Sequence, residues 1–70
     1  MPKVGDWVQL ISKRQGNSII GPIRNQDRKG HWWIVASHLS SKFVGHEFWF
    51  PDPNSWREEI ILGPREEENG

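Results

Sequence analysis

The sequence has no cysteine, no tyrosine and only one methionine. Without cysteine there is no disulfide to staple the chain, and no thiolate to bind a metal or attack a substrate. This fits a reducing compartment. No apolar run approaches the ~18 residues that a membrane-spanning helix needs. The start, Met1-Pro2-Lys3-Val4-Gly5-Asp6, lacks the apolar region of a secretory signal. A cytoplasmic, bacterial protein is the expectation. No long segment carries a 3.6-residue apolar period, so helices are not expected.

Net charge is also absent: nine Lys and Arg balance nine Asp and Glu. The balance hides an asymmetry. Residues 1–46 hold seven cations (Lys3, Lys13, Arg14, Arg24, Arg28, Lys29, Lys42) against two acids, and residues 47–70 hold two cations against seven acids. Such a split suits either a polyanion-binding face with an acidic tail or two halves that neutralise each other.

What is abundant is tryptophan, five in 70 residues. A chain this short makes one domain and buries only about 60% of the surface its unfolded form exposes. Its core should therefore supply only ~3–5 kcal/mol. Large aromatics, at ~150–250 Å² each, fill a small core efficiently. Five indoles exceed what such a core holds, and the surplus points to a contact surface.

Turn residues divide the chain into short alternating segments. Gly5-Asp6 leads into Trp7-Val8-Gln9-Leu10-Ile11, with Val8 and Leu10 on one face. A polar loop, Ser12 to Ser18, carries Lys13 and Arg14. Ile19-Ile20-Gly21-Pro22-Ile23 follows, with Gly21-Pro22 marking a bulge or an edge. Asn25 to Gly30 is a charged turn. His31 to Ala36 is the clearest strand, ahead of a polar stretch, Ser37 to Gly45, read as loop or helical turn. Glu47-Phe48-Trp49-Phe50 is stopped by Pro51-Asp52-Pro53. Asn54-Ser55-Trp56 suits one 3₁₀ turn, and Glu59-Ile60-Ile61-Leu62 closes the domain before Gly63-Pro64. The expected architecture is all-β, a five-stranded sandwich or barrel with one 3₁₀ turn before the last strand. The domain covers residues 1–64, and residues 65–70 form a disordered acidic tail.

This order of strands and turns resembles the SH3-like small barrels over residues 3–63. Val4-Gly5-Asp6-Trp7-Val8-Gln9-Leu10 is similar to their opening strand. Gly21-Pro22-Ile23 and Gly30-His31-Trp32-Trp33-Ile34-Val35 resemble their central pair. Phe48-Trp49-Phe50 with Pro53-Asn54-Ser55-Trp56 resembles their fourth strand and 3₁₀ turn. KOW-type RNA- and ribosome-binding barrels share the pattern, as do small subunits of photosynthetic complexes such as photosystem I subunit IV. The resemblance implies a five-stranded SH3-like barrel that binds a macromolecule. The tyrosines of proline-peptide SH3 domains are missing here.

An enzyme is not expected, and no cofactor is implied. His31, His38 and His46 stand seven and eight positions apart, which matches no zinc motif. The serines lie in polar loops with no nucleophile elbow.

The expected core is Val8, Leu10, Ile23, Val35, Phe48, Phe50, Ile60 and Leu62. Alternation then turns Trp7, Trp32 and Trp49 outward as partner anchors, with Trp56 plugging one end. Lys13, Arg14, Arg24, Arg28 and Lys29 are expected beside them, in two loops reaching toward one side. Three functions fit: a protein–protein interaction module or accessory subunit, an RNA- or single-stranded nucleic-acid-binding barrel, and a homo-oligomer held by outward indoles.

Overall fold

The glycine of the first turn takes φ = +102°, a conformation that side-chain-bearing residues rarely adopt. There Asp6 N–H donates to the Lys3 carbonyl, and Gly5 N–H donates to that of Ile23, launching the first strand. The computed structural model of the protein describes residues 2–14, 17–40 and 43–65. Five antiparallel strands follow: β1 (Asp6–Ser12), β2 (Ser18–Gln26), β3 (Trp32–Val35), β4 (Glu47–Phe50) and β5 (Trp56–Pro64). They form one sheet in the order β4-β3-β2-β1-β5. The expected all-β, five-stranded class is therefore observed.

Strand β2 is an interior strand with two partners in succession. Its first half pairs with β1 from Ile11↔Ser18 to Trp7↔Pro22, and its second half pairs with β3 from Ile23↔Ile34 to Gln26↔Trp32. The ladder shifts register between Ile23 and Asn25, just past Gly21-Pro22, so that dipeptide marks an irregularity and not an edge. Gly21 also permits a close approach. A Cβ built there would lie 1.9 Å from the Val35 carbonyl oxygen.

The 3₁₀ turn expected before β5 is not found there; the observed one, His38–Ser40 between β3 and β4, falls within the Ser37 to Gly45 stretch read as loop or helical turn. Ser40 is buried and acts as a clasp. Its Oγ accepts from Ile20 N–H at 2.8 Å and donates to the Ile20 carbonyl at 3.0 Å. The residues before β5 form a plain turn, and Trp56 belongs to β5 itself.

The core consists of Val8, Leu10, Ile19, Ile23, Ile34, Ala36 and Phe50, with Trp32, Phe43, Phe48 and Trp56 packed against it. Parity in β1 and β4 is as expected. In β3 it is reversed: Ile34 and Ala36 point inward, and Val35 is only half-buried. Register explains this, because Ile34 sits opposite Ile23 on β2 and Phe48 on β4, both inward residues. Trp32 shares that inner face and is not an outward anchor. In β5 a register shift between Trp7 and Val8 breaks the alternation, leaving Leu62 47% and Ile61 44% exposed, so Leu62 is not core. Ile60 is half-buried.

Strands β4 and β5 share no ladder among the described residues. The gap is bridged by side chains instead. Trp56 Nε1–H donates to the Trp49 carbonyl at 2.9 Å, and Asp52 N–H donates to Glu59 Oε2 at 2.9 Å. Residues 66–70 of the expected tail lie outside the described residues. Arg65, placed with that tail, instead holds its guanidinium 5.2 Å above the Trp7 ring.

Candidate functional site

The two residues of the first basic loop are the starting point. Ser12 N–H donates to the Asn17 carbonyl at 2.8 Å, closing the loop, and Arg14 N–H donates to Ser12 Oγ. Lys13 N–H reaches the Ser55 carbonyl at 3.2 Å, which ties this loop to the turn after β4. That turn is built on Asp52, which is buried. Its Oδ1 accepts from Asn54 N–H, and its carbonyl accepts from Ser55 and Trp56 N–H. An Asx turn of this kind places Trp56 at a fixed angle as β5 begins.

Between the loop and the turn lies a cleft of about 490 Å³. Phe43, Phe48, Trp56 and Ile19 form its floor, and Lys13 and Arg14 stand on its rim. The volume falls within the ~300–1,000 Å³ of ordinary ligand pockets. The aromatic floor is an edge-to-face series. Phe43 meets Phe48 edge-on at 5.8 Å and 82°, and Phe48 meets Trp56 at 5.8 Å and 78°. Edge-to-face contacts of this type are the favoured arrangement of aromatic pairs. His46 extends the series at 6.3 Å from Phe43. Among the described residues, the two charged side chains lining the cleft are cations, and Ser12, Asn17, Asn54 and Ser55 add polar groups.

A second aromatic cluster lies on the outer face of β3 and β4. Trp33 and Trp49 are cross-strand partners with ring centroids 6.3 Å apart, and His31 packs against Trp49 at 4.7 Å. Asp27 fixes His31. Asp27 Oδ1 accepts from the Lys29 and His31 N–H groups, and Oδ2 lies 3.1 Å from His31 Nδ1. The main-chain hydrogen bond from His31 is the largest influence on Asp27 and holds its carboxyl below the usual carboxylate value.

The expected site residues therefore do not gather. Trp49 does face outward, but Trp32 packs on the core, and Trp7 lies on β1, two strands from β3, under Arg65. Lys13 and Arg14 line the cleft. Arg28 and Lys29 occupy the exposed β2–β3 turn at the other end of β2, and Arg24 is exposed on β2. The two basic loops thus flank opposite ends of one nine-residue strand. Phe43 stands alone in a polar stretch, where no alternation marks it as part of a site. Phe48, expected in the core, and Trp56, expected to plug one end, each also show a face to the cleft. Among the described residues, no three His, Asp or Glu side chains gather as a metal site.

No family model matches the chain, and no curated protein or solved structure matches it. The likeness to SH3-like barrels accordingly rests on the pattern of strands and turns.

Proposed function

We propose that this protein is a non-enzymatic protein-interaction module of SH3-like barrel type, which captures a peptide segment of its partner in the cleft between the Lys13-Arg14 loop and the Asp52–Trp56 turn. The observation that carries this reading is the meeting of two rim cations with a continuous aromatic floor in one concavity. Tryptophan and arginine are the residues most enriched where binding energy concentrates. An apolar floor supplies burial, while the cationic rim supplies steering and orientation. The walls are held by main-chain hydrogen bonds at Ser12, Lys13 and Trp56, so the cleft is largely preformed and binding costs little ordering.

A second reading draws on the outer cluster. Trp33 and Trp49 lie near the turn that carries Arg28 and Lys29, and aromatic rings beside cations suit a single nucleic-acid strand. The cleft is favoured because its aromatics border a concavity, whereas the outer indoles and His31 cover one another.

Selection of peptides from a random displayed library tests the leading reading. Enriched peptides should lose about tenfold or more in affinity for Phe43→Ala, one good contact's worth. They should bind Trp33→Ala as they bind the parent. Circular dichroism confirms that both variants fold. Failure to enrich any peptide, or loss of binding in Trp33→Ala alone, overturns the assignment.

A further inference from the structure

The charge around the cleft is distributed unevenly, and that distribution selects a ligand. Among the described residues, Lys13 and Arg14 are its charged lining residues. Trp56 forms a ridge, and beyond it lies a second, shallower concavity of about 310 Å³ lined by Pro51, Pro53, Arg57, Glu58 and Glu59. Glu59 is fixed there by Asp52 N–H, while Glu58 is exposed. A ligand crossing the Trp56 ridge therefore passes from a cationic rim to one richer in carboxylates. Like charges juxtaposed across an interface are unfavourable, and opposite charges set register.

Resting on the cleft as the docking site, we propose that its ligand is an extended acidic peptide segment with one large apolar side chain. That side chain lies against Phe43, Phe48 and Trp56. The acidic residues lie on one side of it, facing Lys13 and Arg14. The residues on its other side, over Glu58 and Glu59, are neutral or basic. The order acid, anchor, non-acid follows from the balance of sign on each rim: two cations on one side, and on the other two carboxylates against the cation Arg57.

The probes are three fluorescein-labelled blocked peptides and a labelled uridine octanucleotide. The first peptide carries a run of Glu, then Leu, then Ser and Lys. In the second, Gln replaces Glu. In the third, Glu runs flank Leu on both sides. Anisotropy is read at about 25 and 250 mM NaCl, a range across which screening of exposed charges changes strongly. The first peptide should bind most tightly and weaken with salt. The Gln peptide should bind about tenfold less tightly, and Lys13→Glu/Arg14→Glu should cost the first peptide a similar factor, since both remove the two rim ion pairs. Both substituted residues are exposed, so the fold is preserved.

If Glu and Gln peptides bind alike and the double variant leaves both unchanged, the acidic preference is overturned while the cleft stands as a docking site. If Phe43→Ala also leaves peptide binding unchanged, the cleft falls with it. Equal binding of the first and third peptides overturns the polarity across Trp56. Tighter binding of the octanucleotide, lost in the double variant, overturns the peptide in favour of a nucleic-acid strand.

Discussion

The Trp56 indole N–H donates to the main-chain oxygen of Trp49 at 2.9 Å. This bond joins the first residue of β5 to β4, two strands that share no ladder among the described residues. It also fixes the ring that forms the ridge of the cleft. Trp56→Phe keeps most of the ring's burial but removes the donor. It should cost about 0.5–1.5 kcal/mol, the net worth of one hydrogen bond. Trp56→Ala should cost about 3–5 kcal/mol, comparable to the whole stability of so small a domain. Urea unfolding followed by circular dichroism separates the two. Equal losses would show that the hydrogen bond adds nothing beyond packing.

Gly21 is the position least able to accept a side chain. Its Cβ would meet the Val35 carbonyl oxygen at 1.9 Å, and backbone cannot rotate away as a flexible side chain does. Gly21→Ala should destabilise by at least about 2 kcal/mol. A thermal midpoint within a few degrees of the parent would contradict the close crossing of β2 and β3.

The parity of β3 makes a paired prediction. Ile34 is fully buried and Val35 half-buried on the opposite face. Ile34→Ala should cost about 2–5 kcal/mol, and Val35→Ala clearly less. The reverse order in chemical denaturation would restore Val35 to the core.

Asp27 links the β2–β3 turn to pH. Its carboxyl lies below its ordinary value of 3.8, chiefly through the main-chain hydrogen bond from His31. The folded value is thus lower than the unfolded one. The carboxylate's contribution is fully present above 3.8 and is lost as pH falls through the lower folded value. Amide resonances of Lys29 and His31 should therefore shift together as the pH falls through that range. Asp27→Asn, whose amide oxygen still accepts, should abolish the shift. An identical acid transition in both proteins would remove Asp27 as its source.

Much of the fold was legible because its punctuation is chemical. Gly5-Asp6 and Pro51-Asp52-Pro53 bracket strands at positions where φ or a missing N–H forbids continuation. Glu47-Phe48-Trp49-Phe50 forms β4 over the bounds its alternation and the following proline predict. Strand β3 was harder, because His31 to Ala36 is apolar on both faces and adjacent indoles at Trp32 and Trp33 qualify equally for either. Only pairing with Ile23 on β2 decides between them, and pairing is a long-range fact. Leu62 departs from the expected inward face for a related reason: a register shift leaves no trace in local alternation. Of the candidate site, the cations Lys13 and Arg14 were visible. Their aromatic partners were not, since Phe43, Phe48 and Trp56 come from three separate segments that meet only through the folded sheet.

The five indole N–H groups offer the most direct test of where partners dock. Each gives its own resonance, with Trp56 reporting the cleft and Trp33 and Trp49 the outer face of β3 and β4. Adding the acidic, Leu-anchored peptide to the ¹⁵N-labelled protein should move the Trp56 resonance first and furthest, leaving Trp33 and Trp49 in place. Movement of Trp33 and Trp49 with a stationary Trp56 would contradict the account and transfer the binding surface to the outer face.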